Sequence, residues 1–181
     1  KKIIGITGYS GVLGKYFSKR YNHYEFDVFS GDITLNKDVR EWINKTNANY
    51  ILHFASKVST DFVNKNYENS LKVNYLGTKN LVDNIIKSKK KIWLFFSSTS
   101  HVYKFKKQKI KESDKTEPIS LYGKTKKKAE NYLIKISNKN NIKICIGRIF
   151  SFTDKNQKEP YLIPSLLKKL RNKDGIKYGS L

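Results

Sequence analysis

The chain has 181 residues, the size of one ordinary domain with a single core. It carries 37 Lys and Arg against 15 Asp and Glu, a formal net charge of +22. No apolar run approaches the roughly 18 residues that cross a bilayer, and no secretory leader opens the chain, so we expect a cytoplasmic protein without a membrane partner. The single cysteine excludes an internal disulfide and suits a reducing compartment.

The positive charge is spread along the chain. Lysine greatly outnumbers arginine, and the lysines are not gathered with aromatic residues into one patch. This distribution favours a solvated surface that attracts small anionic ligands, and it argues against a specific nucleic-acid partner. A basic nucleic-acid-binding module is nevertheless kept as an alternative to the two functions given below, and it predicts an affinity for DNA or RNA that falls steeply with salt.

Short apolar runs alternate with longer stretches of helical period. In chain order the sequence predicts a strand at 2–7, a helix at 12–21, a strand at 24–30, a helix at 36–47 with Asn36 as its N-cap, a strand at 50–56, a helix at 69–88, a strand at 91–98, a polar loop at 104–118, a helix at 121–139, a strand at 142–150 and a helix at 161–173. This alternation predicts an α/β fold, a Rossmann-like doubly wound parallel sheet with helices on both faces.

The segment TGYSGVLG joins the first predicted strand to the first predicted helix. In a dinucleotide-binding turn, Gly8 would turn the chain off the strand, Gly11 would let a diphosphate approach, and Gly14 would let the helix pack closely on the sheet. The amino end of the helix would then offer N–H groups to the anion. The alternative is a plain glycine-rich turn.

Five more segments follow in order: GDIT at 31–34, HFAS at 53–56, VNYLGTKNLV at 73–82, FFSSTSHVY at 95–103 and YGKTK at 122–126. With the glycine turn, they resemble the extended short-chain dehydrogenases/reductases, which include nucleotide-sugar epimerases and dehydratases. The resemblance implies that the following residues bind the cofactor: Gly8, Ser10, Gly11, Val12, Leu13, Asp32, Ile33, Phe54, Ala55, Ser56, Asn74 and Lys126. Asp32 as a turn aspartate and Asn74 as a helix-surface amide are the alternatives.

The catalytic residues that the resemblance implies are Thr99, Tyr122 and Lys126. Tyr122 and Lys126 are four residues apart, which places them one helical turn from each other on one face. An ammonium beside a phenol favours the phenolate, so Tyr122 would exchange a proton with a sugar hydroxyl during hydride transfer. Thr99 would hold the same substrate oxygen, with Ser98 as the alternative. For Tyr122 the alternative is an ordinary core tyrosine.

The sequence also departs from the family's pattern. Ser100 and His101 stand where the sugar 4,6-dehydratases have Asp-Glu, which disfavours elimination of water, and Lys104 replaces an expected glycine. The pattern continues beyond the final GIKYGSL, where it predicts a strand. We therefore expect a fragment, with residues 1–150 forming an NAD(P)-binding domain and residues 151–181 the start of an incomplete substrate-binding region.

Together these features predict an NAD(P)-dependent enzyme that acts on a nucleotide-sugar, as an epimerase or a 4-keto reductase. NAD is the expected cofactor and NADP the alternative. The choice between them is usually made by the residue that ends the second strand; here Asp27 lies inside that strand, and Ser30 and Gly31 at its end favour neither cofactor. A non-catalytic dinucleotide sensor or scaffold is the alternative function. The resemblance also implies a homodimer formed through helices 69–88 and 121–139.

The remaining reactive side chains have simpler interpretations. The three histidines, His23, His53 and His101, show no metal-binding spacing, so we expect no metal site and assign each to packing or to the surface. Cys145 lies in an apolar strand, where an inert buried thiol is expected. Arg148 would pair with a carboxylate or reach a phosphate, and the sequence does not separate the two.

Overall fold

The computed structural model describes residues 2–140, 142–155, 157–159 and 161–172. The chain divides into two compact units, one ending at Phe150 and the other beginning at Ser151. The strand expected at the end of the chain lies outside the described residues. The assignment of the second unit to a substrate-binding region stays a prediction.

The elements of the first unit alternate between strands and helices almost throughout. They are β1 (Ile3–Thr7), α1 (Val12–Arg20), β2 (Glu25–Val28), α2 (Asn36–Lys45), β3 (Tyr50–His53), α3 (Thr60–Lys65), α4 (Tyr67–Leu71), a π-helical turn (Lys72–Gly77), α5 (Thr78–Ser88), β4 (Trp93–Thr99), a 3-10 turn (Ser100–Val102), α6 (Leu121–Asn140) and β5 (Ile144–Ile149). The described part of the second unit contains α7 (Leu162–Arg171).

The five strands form one parallel sheet in the order β2-β1-β3-β4-β5. Strand β1 lies inside the sheet and pairs on both sides, so that Ile4 lies between Phe26 of β2 and Tyr50 of β3. The strand order reverses its direction between β1 and β3, and open α/β sheets bind ligands outside the carboxyl ends of strands at such a point. The predicted fold is confirmed, and its topology directs attention to the residues that follow β1 and β3.

Helices cover both faces of this sheet. On one face, α2, α5 and α6 bury a continuous apolar core in which Leu81, Phe96 and Leu133 have no exposed surface. Burial of each such side chain contributes about 1.5–3 kcal/mol relative to exposure. On the other face α1 packs through Phe17, whose ring lies 5.3 Å from that of Phe54. The sheet is thereby a rigid platform for the loops at its carboxyl edge.

Several predicted boundaries move for identifiable reasons. Strand β3 ends at His53, three residues early, because the chain after Phe54 bonds to a helical side chain instead: Ser56 and Lys57 donate hydrogen bonds to Oδ1 of Asn74. The predicted helix 69–88 begins earlier, at Tyr67, and contains the π-helical turn. Helix α3 has no counterpart among the predicted elements. Segment 104–118 contains no helix or strand, only one bridge between Tyr103 and Thr116.

Two local predictions are wrong. Asn36 is the first residue of α2, and Leu35 occupies the N-cap position. The side-chain oxygen of Asn36 instead accepts a hydrogen bond from Nδ2 of Asn84 at 2.7 Å, which ties α2 to α5. Cys145 is exposed, not buried, because β5 is an edge strand of the sheet.

Candidate active site

The turn between β1 and α1 has a backbone that only glycine permits at its first position. Gly8 has a φ of +73°, and a Cβ there would lie 2.5 Å from the backbone nitrogen of Ala55. A Cβ on Gly14 would lie 2.5 Å from the carbonyl oxygen of Tyr9, so the helix starts tightly against the turn. Within α1, all of which is described, no side chain caps the amino end and the first turn has no acidic residue. Helix α1 therefore places no side-chain cap or counter-charge of its own first turn against the partial positive charge of its amino end.

A buried histidine connects the ends of β1 and β3. The pKa of His53 is lowered to about 3, first by burial and then by the charge of Lys126, so the ring is neutral. The hydroxyl of Thr78 donates to the carbonyl oxygen of Asn74 at 2.8 Å, so it can only accept from Nε2 of His53, 2.9 Å away. Nδ1 must then accept from the Thr7 hydroxyl at 2.6 Å. One tautomer thus fixes the strand that leads into the glycine turn.

The π-helical turn places Asn74 where its side chain holds the loop after β3. Its Oδ1 accepts hydrogen bonds from Oγ of Ser56 at 2.9 Å and from the backbone nitrogen of Lys57 at 2.8 Å. Its Nδ2 donates to the Lys57 carbonyl and to Oγ1 of Thr125, both at 3.0 Å. The Thr125 hydroxyl in turn donates to the Tyr122 carbonyl at 2.7 Å. Asn74 is therefore a buried cross-link and not a surface amide.

Lys126 is a buried cation beside this loop. It is 1% exposed, and its Nζ donates to Oγ of Ser56 at 3.4 Å and lies 4.3 Å from the ring centre of Phe96. Burial lowers the pKa of Lys126 to about 7, while the negative charge of Glu130 acts in the opposite direction. An amine that changes its protonation state near neutral pH is typical of functional sites.

Two hydroxyl-bearing residues lie at the carboxyl end of β4 and at the start of α6. Thr99 ends β4 and is 5% exposed, and its Oγ1 accepts from the backbone nitrogen of His101 at 3.3 Å. Tyr122, in the first turn of α6, is 9% exposed and packs edge-on against the His101 ring at 5.8 Å. Tyr122 and Lys126 share α6, one turn apart, as their spacing predicts.

Behind these groups lies a charged network, which we call the Glu130 cluster: Ser98, Glu130 and Arg148. Glu130 has no exposed surface. It accepts from the Ser98 hydroxyl at 2.5 Å and from Nε and Nη2 of Arg148 at 3.0 and 2.9 Å. Arg148 therefore pairs with a carboxylate, one of the two roles left open by the sequence, and its guanidinium also lies 4.7 Å from the Tyr103 ring centre.

The segment after β2 contributes less directly. The exposed carboxylate of Asp32 accepts from the backbone nitrogen and the hydroxyl of Thr34, both at 2.8 Å, and these bonds lower its pKa. Ile33 belongs to the core and packs directly on Gly77, so closely that a Cβ at position 77 would lie 2.7 Å from the Ile33 side chain. Asp27 points toward α2 and accepts from Nε1 of Trp42 at 3.0 Å. Neither carboxylate is free of a protein partner.

The structure brings the expected residues of three elements together at the carboxyl edge of the sheet. Gly8 abuts Ala55, Ser56 is bonded to Asn74, and Lys126 reaches Ser56. Ser10 and Gly11 are exposed on the turn, Val12 and Leu13 are half-buried at the start of α1, and the Phe54 ring packs under α1. His53, Thr125 and Glu130 complete the surroundings, and no sequence pattern singled them out as partners of the site.

The fold and the candidate site define the class of this chain as a Rossmann-like α/β protein with a glycine turn and a Tyr–Lys helix. The family model for GDP-mannose 4,6 dehydratase matches residues 9–180. The chain belongs to this family of extended short-chain dehydrogenases/reductases, which confirms the resemblance drawn from its motifs.

Two curated proteins are similar to the chain in sequence. A dTDP-4-dehydrorhamnose reductase of Aggregatibacter actinomycetemcomitans is 32% identical over 142 residues, which are 74% of this chain and 47% of the relative. The decarboxylating sterol-4-alpha-carboxylate 3-dehydrogenase of Candida albicans is 31% identical over 140 residues, or 74% of this chain and 38% of the relative. The chain thus spans about half the length, or less, of the curated relatives it matches.

Solved structures share the fold. A dTDP-4-dehydrorhamnose reductase from Clostridium acetobutylicum superposes with a TM-score of 0.80 at 26% identity, covering 94% of this chain and 60% of that one. RMD from Pseudomonas aeruginosa, complexed with NADPH, gives 0.84 at 17% identity, covering 96% and 63%. UDP-glucose 4-epimerase from Thermus thermophilus, in complex with NAD, gives 0.73 at 18% identity, covering 81% and 54%.

Two other kinds of feature are absent from the part of the chain that the structure describes. Among the helices within it, none combines the length and apolar character that a bilayer crossing needs. Within the same part of the chain, no group of three or more His, Cys, Asp and Glu side chains is placed to hold a metal ion.

Proposed function

We propose that the chain binds NAD or NADP at the carboxyl ends of β1 and β3, with the diphosphate at the amino end of α1. Two glycines support this proposal. A side chain at Gly8 would collide with the backbone of Ala55, and a Cβ on the exposed Gly11 would lie 3.2 Å from the carbonyl oxygen of Gly8. Backbone can therefore approach a diphosphate closely at this turn. The NADPH and NAD complexes of two structural neighbours support this assignment.

We infer further that the chain is the catalytic half of a nucleotide-sugar epimerase or 4-keto reductase. The observation that carries this proposal is the position of Lys126, a buried cation one turn from Tyr122 and bonded to the loop that flanks the glycine turn. The names of the similar reductase and epimerase agree with this substrate class. Because the chain spans about half the length of its curated relatives, or less, the activity, substrate and partners are proposed for the whole protein.

Each residue of the site has a distinct task in this reaction. Protonated Lys126 favours the phenolate of Tyr122 through attraction of opposite charges. Tyr122 then takes the proton from a sugar hydroxyl, or returns one to a carbonyl oxygen in the reverse direction. The Thr99 hydroxyl donates a hydrogen bond to the same oxygen and orients it. When bound, the nicotinamide accepts or supplies the hydride.

The Tyr122→Phe variant tests this proposal, with Tyr132→Phe as its matched control on the same helix. The Tyr132 hydroxyl donates a hydrogen bond to Asp83 at the α5–α6 contact. The control variant therefore loses a hydrogen bond that the proposed reaction does not use. Dinucleotide binding is followed by nicotinamide fluorescence, and turnover is measured with dTDP-4-dehydrorhamnose and with UDP-glucose. We expect kcat to fall at least ~10²-fold in Tyr122→Phe with dinucleotide affinity retained, and to stay normal in the control.

Normal turnover by Tyr122→Phe would refute the assigned role. Dinucleotide binding by the wild-type protein without turnover of any nucleotide-sugar would instead favour the sensor or scaffold. Cofactor preference is read from the same titrations with NADH and NADPH. The homodimer through helices 69–88 and 121–139 stays a prediction, which analytical ultracentrifugation of the whole protein checks.

A further inference from the structure

The Glu130 cluster connects the two elements that carry the proposed catalytic hydroxyls. We propose that Glu130 is a positioning residue, which holds the end of β4 against α6 through Ser98 and so sets the Thr99 hydroxyl relative to Tyr122. This inference rests on the proposed function, because it assigns a task within that reaction. It concerns neither substrate contact nor cofactor contact.

The geometry provides a short mechanical link. Glu130 lies on α6 two turns beyond Tyr122 and one turn beyond Lys126. Ser98 directly precedes Thr99 on β4, and its hydroxyl donates to Oε1 of Glu130 at 2.5 Å. One hydrogen bond therefore joins the helix that carries the proposed acid/base to the strand that carries the orienting hydroxyl.

Arg148 makes this link rigid. It donates two hydrogen bonds to the carboxylate, Nε to Oε1 at 3.0 Å and Nη2 to Oε2 at 2.9 Å. A two-pronged pair of this kind fixes the plane of the carboxylate. The Ser98 hydroxyl donates its one proton to the same carboxylate, on Oε1. Because the Ser98 hydroxyl already donates its proton to Glu130, Thr99 is favoured over Ser98 as the residue whose hydroxyl binds the substrate oxygen.

The neighbouring serine provides a matched comparison. Ser97 and Ser98 are both buried, at 7% and 4% exposure, and they point to opposite faces of β4. The Ser97 hydroxyl donates to the His53 carbonyl at 3.0 Å, a bond made within the sheet. Loss of either hydroxyl removes one buried hydrogen bond from the same strand. Only loss of the Ser98 hydroxyl removes a hydrogen bond between β4 and α6.

The experiment compares Ser98→Ala, Ser97→Ala and Ser98→Thr in the whole protein. NADPH affinity is measured by fluorescence, and kcat and KM are measured with dTDP-4-dehydrorhamnose and with UDP-glucose. We expect Ser98→Ala to lower kcat by about tenfold, because small displacements of reacting groups cost this much or more. Its KM and NADPH affinity should stay within about twofold of wild type, as should every constant of Ser97→Ala. Ser98→Thr, which restores a hydroxyl, should recover most of the kcat.

Two results would overturn the inference alone: a normal kcat in Ser98→Ala, or equal losses of kcat in Ser98→Ala and Ser97→Ala. The second result would mean that the strand merely needs its hydrogen bonds for stability. A wild-type protein that binds NADPH but converts neither probe nor any other nucleotide-sugar would remove the proposed reaction, and the positioning role with it. The two failures are distinguished by the wild-type measurement.

Discussion

The buried amine of Lys126 should lower the stability of the dinucleotide-free protein, and its removal should raise it. Burial lowers the pKa of Lys126 from 10.5 to about 7. At about 1.4 kcal/mol per pH unit, this difference costs on the order of 4 kcal/mol at pH 7. We therefore expect Lys126→Met to raise the free energy of unfolding by about 2–4 kcal/mol, the range seen when buried charges are replaced by apolar side chains.

The gain should depend on pH in one direction. Between pH 7 and 10.5 the unfolded chain keeps the proton on Lys126 while the folded chain has released it, so wild-type stability rises with pH in this window. Below pH 7 both states are protonated and the cost of burial is constant. The stability difference between Lys126→Met and wild type should thus be largest at neutral pH and below, and should shrink by up to about 1.4 kcal/mol per pH unit above pH 7.

Urea unfolding followed by circular dichroism, at neutral pH and at two higher values, measures this difference. Lys124→Met is the control, because Lys124 is an exposed lysine on the same helix and its replacement should change stability little. A difference that stays constant with pH, or a Lys126→Met protein less stable than wild type, would refute the reasoning. The same variant should lose turnover, which would show that the site trades stability for function.

Two further predictions concern the frame of the site, and a third concerns the opposite, amino edge of the sheet. Gly8→Ala places a methyl group 2.5 Å from the backbone nitrogen of Ala55, so the free energy of unfolding should fall by roughly 1–3 kcal/mol and NADPH affinity should fall with it. Gly11→Ala should lose less of both. Calorimetry measures the stability, and fluorescence titration measures the affinity. Asn74→Ala leaves four hydrogen-bonding groups without their partner, the buried hydroxyl of Thr125 and three partly buried groups of Ser56 and Lys57, and should cost roughly 2–4 kcal/mol in urea unfolding. The Lys90 ammonium donates to three backbone carbonyls at the end of α2, so Lys90→Met should lower stability by roughly 1–3 kcal/mol in thermal unfolding. Unchanged stability in any of these variants would contradict the corresponding contact.

Much of the framework could be predicted because its signals are local. The alternation of apolar runs predicts the parallel sheet, since both faces of such a sheet are covered. The spacing of Gly8, Gly11 and Gly14 predicts the turn, and the four-residue separation of Tyr122 and Lys126 predicts their common helix face. Each of these patterns depends on residues within one or two turns of the backbone.

The errors arise where distant residues compete with a local preference. Asn36 has the chemistry of an N-cap, but Asn84 of α5 takes its side-chain oxygen. Cys145 has apolar neighbours in sequence, but its strand lies at an edge of the sheet. The helix 69–88 has a regular apolar period, which does not indicate that Asn74 satisfies the loop after β3 from a π-helical turn.

The amino-acid sequence by itself therefore determined the fold class, the glycine turn and the residue types available for catalysis. Only the tertiary structure decided that His53 is a neutral bridge, that Lys126 is desolvated, and that Glu130 joins Ser98 to Arg148. The physical reason is that protonation and hydrogen bonding depend on burial and on partners from other elements. The hydroxyl of Ser98 and the carboxylate of Glu130 meet only after β4 and α6 have packed together.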